Sequence, residues 1–352
     1  MITKETYTLE WITNLRNSLG KRTDPKLVEK FIYALSLLEQ LRAHEMQLIF
    51  KGGTSILLAT EQPSRFSIDI DIITEYTEEQ IITVLDKVVV NSPFINWKSG
   101  NYRKHVIEAP VGHYKLNYIS VVDGKTEPIL LDVLYTTNPY PVTREIPIAH
   151  TWLKQEGDPL TVEVPTFDSI LGDKLTAYAP ETTGILYSKN RPVEIIKQLY
   201  DAAFLFDNME AIETVRESFM EVVKEEIAFR KLDIEWHQVL DDIENTSYLL
   251  VKRDLASNQF QQLQTGVRNI TNFIIVRFNI EEAITAGAKI AYLSALLRNE
   301  NTVSPHRYNG FKEIADWLID QPSRPKLNKL KKSNPEAFFY WYHASLLKNK
   351  EL

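Results

Sequence analysis

The sequence predicts an α+β protein in which an N-terminal sheet with flanking helices is followed by a mainly helical second half. Three observations carry that prediction. Residues 66–74 alternate apolar and polar, two further strand-like runs are joined by Asp123-Gly124, and a helical period dominates from Thr166 onward. At about 150 residues per domain, 352 residues make roughly two domains, expected at 1–160 and 161–352.

Residues 8–46 read as helices. Asp24-Pro25 supplies a cap and a first-turn proline, and Val28, Phe31, Ile32, Leu35, Leu38 and Leu41 then recur at helical spacing. Leu48-Ile49-Phe50 is an extended entry to a glycine turn, Gly52-Gly53, which opens a short helix through Thr54 and Ser55. In the alternating run, Ile68, Ile70 and Ile72 face one side and Ser67, Asp69 and Asp71 the other. Glu78 to Val90 is helical, and Tyr114 to Val122 and Pro128 to Tyr135 form a hairpin about Asp123-Gly124. Proline clusters near 139–147 and 158–165 mark an expected seam between the halves. Beyond it lie helical patterns at Asp168 to Ala179, Val193 to Phe206, Ile212 to Phe229 and Ile280 to Leu297.

Composition narrows the chemistry. With 44% hydrophobic and 25% charged residues the chain has the means to bury a core, which excludes wholesale disorder. The absence of cysteine removes disulfides, thiolate metal sites and thiol nucleophiles, and fits a reducing compartment. No uncharged apolar run approaches 18 residues and no signal-peptide pattern opens the chain, so a cytoplasmic protein with no membrane partner is expected. The net charge of −7 argues against a general polyanion binder. Seven histidines without a His-x-x-x-His pair, and no Gly-x-Ser-x-Gly, take support from zinc and serine hydrolase readings.

Asp69 and Asp71 project from one strand face with Cα atoms about 7 Å apart, and two uncompensated carboxylates so placed repel. A positive charge between them relieves that. Magnesium suits the site because it takes oxygen ligands and is commonly held by one or two carboxylates plus substrate phosphates. A third acid has to come from a neighbouring strand. Asp132, mid-strand among Ile129, Leu130, Leu131, Val133 and Leu134, is the preferred choice, since a carboxylate there is costly unless paired or ligating; Asp123 reads more simply as a turn residue. Gly52-Gly53-Thr54-Ser55 offers backbone N–H groups to a phosphate, without the spacing of a Walker A loop.

Lys51-Gly52-Gly53-Thr54-Ser55 followed by Arg65-Phe66-Ser67-Ile68-Asp69-Ile70-Asp71 resembles the opening signature of the AbiEii/MenT family of nucleotidyltransferase toxins, part of the DNA polymerase β-like superfamily. Leu171-Gly172-Asp173-Lys174-Leu175-Thr176-Ala177 looks like the family's conserved-lysine helix, and Lys197-Gln198-Leu199-Tyr200-Asp201 like its later Lys-Asp-x-x-Asp segment. The first acid of that segment is Gln198 here, which leaves Asp201 alone to act as the second. The match spans roughly residues 30–210.

The resemblance implies a nucleotidyltransferase-type mixed sheet. It implies that Asp69 and Asp71, assisted by Asp132, hold Mg²⁺ against an NTP, and that Gly52, Gly53, Thr54 and Ser55 contact its phosphates. Arg65 and Lys174 become the cations, and Asp201 an orienting acid. The activity implied is transfer of NMP to an RNA acceptor, in several members the tRNA 3′ end, by a toxin countered by a cognate antitoxin. Alternatives are transfer to a protein or small molecule, or a non-catalytic module that binds nucleotide or a partner.

Two segments bear on the acceptor. Residues 210–245 hold 11 acids and 4 bases, which disfavours contact with nucleic acid. Residues 320–352 hold 7 bases and 3 acids, with Arg324, Lys326, Lys329, Lys331 and Lys332 near Phe338, Phe339, Tyr340, Trp341 and Tyr342. Such a segment either grips and stacks RNA or forms a helical core with a wet lysine face.

Overall fold

Each of the first two helices begins at a side chain that accepts from its own first turn. Thr8 accepts from the Trp11 N–H at 3.2 Å to open α1 (Leu9–Leu19), and Asp24 accepts from the Lys26 N–H at 2.9 Å to open α2 (Pro25–Ala43), with Pro25 in the first turn where no N–H is needed. Phe31, Ile32, Leu35, Leu38 and Leu41 of α2 are fully buried, as their spacing predicts. Glu29 is buried on the same helix. Its carboxylate accepts from the Ser120 hydroxyl at 2.7 Å, the Val121 N–H at 2.7 Å and the Tyr118 hydroxyl at 3.3 Å, and so ties the helix to a hairpin end.

This computed structural model describes residues 1–20, 23–61, 63–90, 92–100, 109–299, 304–310 and 314–348. Two compact units result, Met1–Thr166 with Asn272–Val276, and Phe167–Thr271 with Arg277–Leu352. In the first, β1 (Ile49–Lys51), α3 (Gly52–Leu58), β2 (Ile70–Thr74), α4 (Glu78–Val90), β3 (Asn96–Ser99), β4 (Val111–Ile119), β5 (Thr126–Tyr135), β6 (Thr143–Pro147) and β7 (Thr161–Pro165) follow in order. Among the described residues the strands form one mixed seven-stranded sheet, ordered β3-β4-β5-β2-β1-β7-β6. The β2–β5 and β1–β7 pairs are parallel and the others antiparallel.

Three features of the first unit differ from the sequence reading. Regular pairing in the alternating run starts at Ile70, because the backbone just ahead pairs elsewhere: Arg65 bridges Ile274, and Ile275 N–H donates to the Ser64 carbonyl at 2.8 Å. The proline clusters carry β6 and β7, in which Pro147 and Pro165 stand at strand ends where a missing N–H costs least. The main segment of the first unit ends at Thr166, directly after the second proline cluster. The edge strand β3, Asn-Trp-Lys-Ser, is polar and mostly exposed and so lacks the apolar alternation that marks a strand in sequence.

The second unit is helical: α5 (Phe167–Ala177), α6 (Pro192–Asn208), α7 (Ile212–Phe229), α8 (Trp236–Lys252), α9 (Asn258–Asn269), α10 (Ile280–Arg298), α11 (Leu330–Ser333) and α12 (Pro335–Lys348). Asn279 and Glu282 form a reciprocal capping box at the start of α10. Phe338, Phe339, Tyr340 and Trp341 of α12 are buried, so the core reading of that segment holds and these rings are closed to base stacking. Arg324 pairs with Glu244 and lies over the Tyr248 and Trp341 rings at 5.3 and 5.5 Å, while Lys331 donates to the Ala315 carbonyl at 2.7 Å. Residues 349–352 of that basic stretch lie outside the described residues. No helix among the described residues is long and apolar enough to cross a membrane.

Candidate functional site

The glycine turn is shaped by the side chains laid against it. Gly52 has φ +80°, a conformation that side-chain-bearing residues avoid, and a Cβ built there would stand 2.2 Å from Asp71 Oδ2. At Gly53 a Cβ would stand 2.3 Å from Arg65 Nη2 and 2.8 Å from Ser67 Oγ. The two glycines thus let a carboxylate and a guanidinium approach the backbone at the start of α3. Thr54 and Ser55 are buried. Thr54 Oγ1 donates to the Asp69 carbonyl at 2.6 Å and Ser55 Oγ to the Gly52 carbonyl at 2.9 Å, so both hydroxyls brace the turn.

Sheet register brings the acids together. Asp71 on β2 is the Cα partner of Asp132 on the parallel neighbour β5, and of Lys51 on β1. Directly paired residues direct their side chains to one face of a sheet, so Lys51, Asp71 and Asp132 form a row. Asp69 stands one residue ahead of β2 and is exposed. Arg65 is buried and donates from Nη1 to the Phe66 carbonyl at 2.7 Å.

The row continues to a residue that the sequence reading did not single out. His113 on β4 is the cross-strand partner of Asp132, and its Nδ1 lies 2.6 Å from Asp132 Oδ1. A usable signal was present. With the hairpin turn at Asp123-Gly124, Ile119 falls opposite Thr126, and equal steps along both strands carry His113 opposite Asp132.

The donor set suits a hard divalent cation. Asp69, Asp71 and Asp132 offer oxygen ligands only, and the chain has no thiolate to compete. Among the described residues no three His, Asp or Glu side chains gather into a ready-made cage. Cations of the magnesium type are commonly held by one or two carboxylates with phosphate and water completing the shell.

Lys174 and Asp201 belong to the second unit and meet there. Lys174 Nζ lies 3.2 Å from Asp201 Oδ2 and donates to Gln198 Oε1 at 3.0 Å, and both charged side chains are buried. Gln198, which stands where the resemblance places an acid, thus keeps an oxygen on the ammonium without adding charge. Burial makes this pair costly to break, because removing one partner strands the other in a poorly solvated site.

Comparison with known proteins gives one family. The family described as nucleotidyl transferase AbiEii toxin, type IV TA system, matches residues 36–269. No curated protein matches the chain. Among solved structures, JHP933 from Helicobacter pylori is 13% identical, covering 78% of this chain and 93% of its own, with a TM-score of 0.43. An antigenic nucleotidyltransferase-like protein from Paracoccidioides brasiliensis is 14% identical, covering 58% of this chain and 96% of its own, with a TM-score of 0.33.

Proposed function

Given that the chain belongs to the AbiEii nucleotidyltransferase toxin family of type IV toxin–antitoxin systems, we propose that it transfers NMP from an NTP to an RNA acceptor, the tRNA 3′ end foremost. Nucleotidyltransferases generally use a divalent metal, an NTP is the donor, and the family pairs a toxin with an antitoxin. Mg²⁺ is the metal in this reading and the cytoplasm the place of action.

The observation that carries the reading is the approach of Asp71 to Gly52 with Asp132 as its partner on the next strand. Asp69 and Asp71, with Asp132 beside them, would hold the cation. When bound, it neutralises triphosphate charge and lowers the pKa of an acceptor hydroxyl. The protein's own work is positional, since phosphoryl-type transfer needs aligned groups and compensated charge more than covalent assistance. Gly52, Gly53, Thr54 and Ser55 present the start of α3 to phosphate, and Arg65 adds a guanidinium braced by the Phe66 carbonyl. Lys174, its ammonium held by Asp201 and Gln198, is the phosphate-neutralising cation that the family resemblance implies.

Incubation with each α-labelled NTP, a divalent cation and total RNA tests this, with Asp71→Ala and Lys174→Ala alongside. Label in tRNA that is lost in both variants is the expected result. Label on protein would move the acceptor to that class, and NTP binding without transfer under every condition would overturn the catalytic reading.

A further inference from the structure

His113 lies outside the sequence signature, yet the sheet sets it at the end of a four-strand row with Lys51, Asp71 and Asp132. Its Nδ1 is 2.6 Å from Asp132 Oδ1, and the two side chains are 19% and 29% exposed. A carboxylate oxygen only accepts, so Nδ1 carries the proton that is shared with Asp132, and in the neutral ring Nε2 is the acceptor nitrogen. The contact is between neighbouring strands and thus inherits the rigidity of the β4–β5 ladder, which pairs continuously from Val111 with Leu134 to Ile119 with Thr126. One carboxylate oxygen held in this way fixes rotation of the whole group.

Resting on the acid-site reading above, we infer that His113 is a positioning residue for the metal-holding acids: by fixing the Asp132 carboxylate beside Asp71 it sets the affinity of this row for a divalent cation. Groups that hydrogen-bond a ligating side chain typically change metal affinity 10–100-fold when removed, because a carboxylate free to rotate must be ordered again at each binding event. Lys51 lies two strands away from Asp132, with Asp71 between them.

The test is Mn²⁺ binding to the full chain without nucleotide, read from loss of the free-ion EPR signal. His113→Leu removes the donor. His113→Asn places an amide N–H close to the Nδ1 position, whereas His113→Gln carries its N–H out toward the Nε2 position. Asp71→Asn reports on the acid site itself. Expected are a 10–100-fold weaker dissociation constant for His113→Leu and His113→Gln, recovery to within about threefold of wild type in His113→Asn, and loss of binding in Asp71→Asn. If Asp71→Asn loses Mn²⁺ while His113→Leu binds as wild type, the inference fails and the acid site stands. Equal affinities in His113→Asn and His113→Gln also overturn it. This Asn–Gln comparison remains decisive if the leucine variant does not fold. Wild-type affinity in Asp71→Asn would sink the acid-site reading itself.

Discussion

Gly52→Ala separates the fold from the site in a single methyl group. The new carbon would stand 2.2 Å from Asp71 Oδ2 and 2.9 Å from its Cγ, where ordinary contact starts at 3.4 Å. The carboxylate must therefore retreat by about 1 Å, and a misplacement of that size in a positioned catalytic group costs on the order of 100-fold in rate. The fold loses much less. Holding alanine at φ +80° costs about 1–2 kcal/mol, offset by about 0.4–1 kcal/mol from the stiffer unfolded chain. A net loss of about 1 kcal/mol lowers Tm by roughly 2–4 °C for a unit of this size. Label transfer from α-labelled NTP under saturating substrate, with a thermal melt on the same preparation, measures both. The expected result is a fall of about 100-fold in kcat with Tm within about 5 °C of wild type. Activity within a few-fold of wild type would refute the link between Gly52 and Asp71, and a collapse of Tm would show that backbone rather than carboxylate yields.

Other perturbations have different signatures. Gly172→Ala puts a carbon 2.5 Å from the Phe219 backbone nitrogen and 2.7 Å from Ser218 Cβ, so α5 and α7 must separate; a loss of about 1–3 kcal/mol in chemical denaturation is expected. Lys174→Met leaves buried Asp201 without its ammonium and should cost about 3–5 kcal/mol, whereas Lys174→Met with Asp201→Leu should recover most of that stability with no return of NTP transfer. Burial lowers His150 to about 4, so the unfolded chain binds its proton first as pH falls. Stability from this group is present above about pH 6.5 and is lost progressively toward pH 4, by roughly 3 kcal/mol in all. His150→Phe, which keeps a ring against Phe31 and Trp152, should flatten the urea-denaturation profile across that window.

What was legible in the sequence follows from how local each determinant is. Helices α2, α4 and α7 announce themselves through Asp24-Pro25, their apolar period and their ends, all within a few residues of one another. Gly52, Gly53, Asp69 and Asp71 were visible because the turn and the alternating run each span under ten residues. Strands β6 and β7 were hidden by prolines that only a strand end or edge tolerates, and β3 by its polar Asn-Trp-Lys-Ser composition. The pairing of Arg65 with Ile274 is a long-range choice that no local pattern encodes. His113 was within reach of a register count from the hairpin, but a lone histidine on a strand carries no signal until its opposite number is known to be Asp132.

A crystal of the protein grown with Mn²⁺ and a non-hydrolysable NTP analogue gives the most direct measurement of where polyphosphate and cation meet the chain. An anomalous peak about 2.0–2.2 Å from carboxylate oxygens of Asp69 and Asp71, with analogue phosphate completing its shell, is the expected result. Metal and triphosphate bound elsewhere, with those two acids left in solvent, would contradict it.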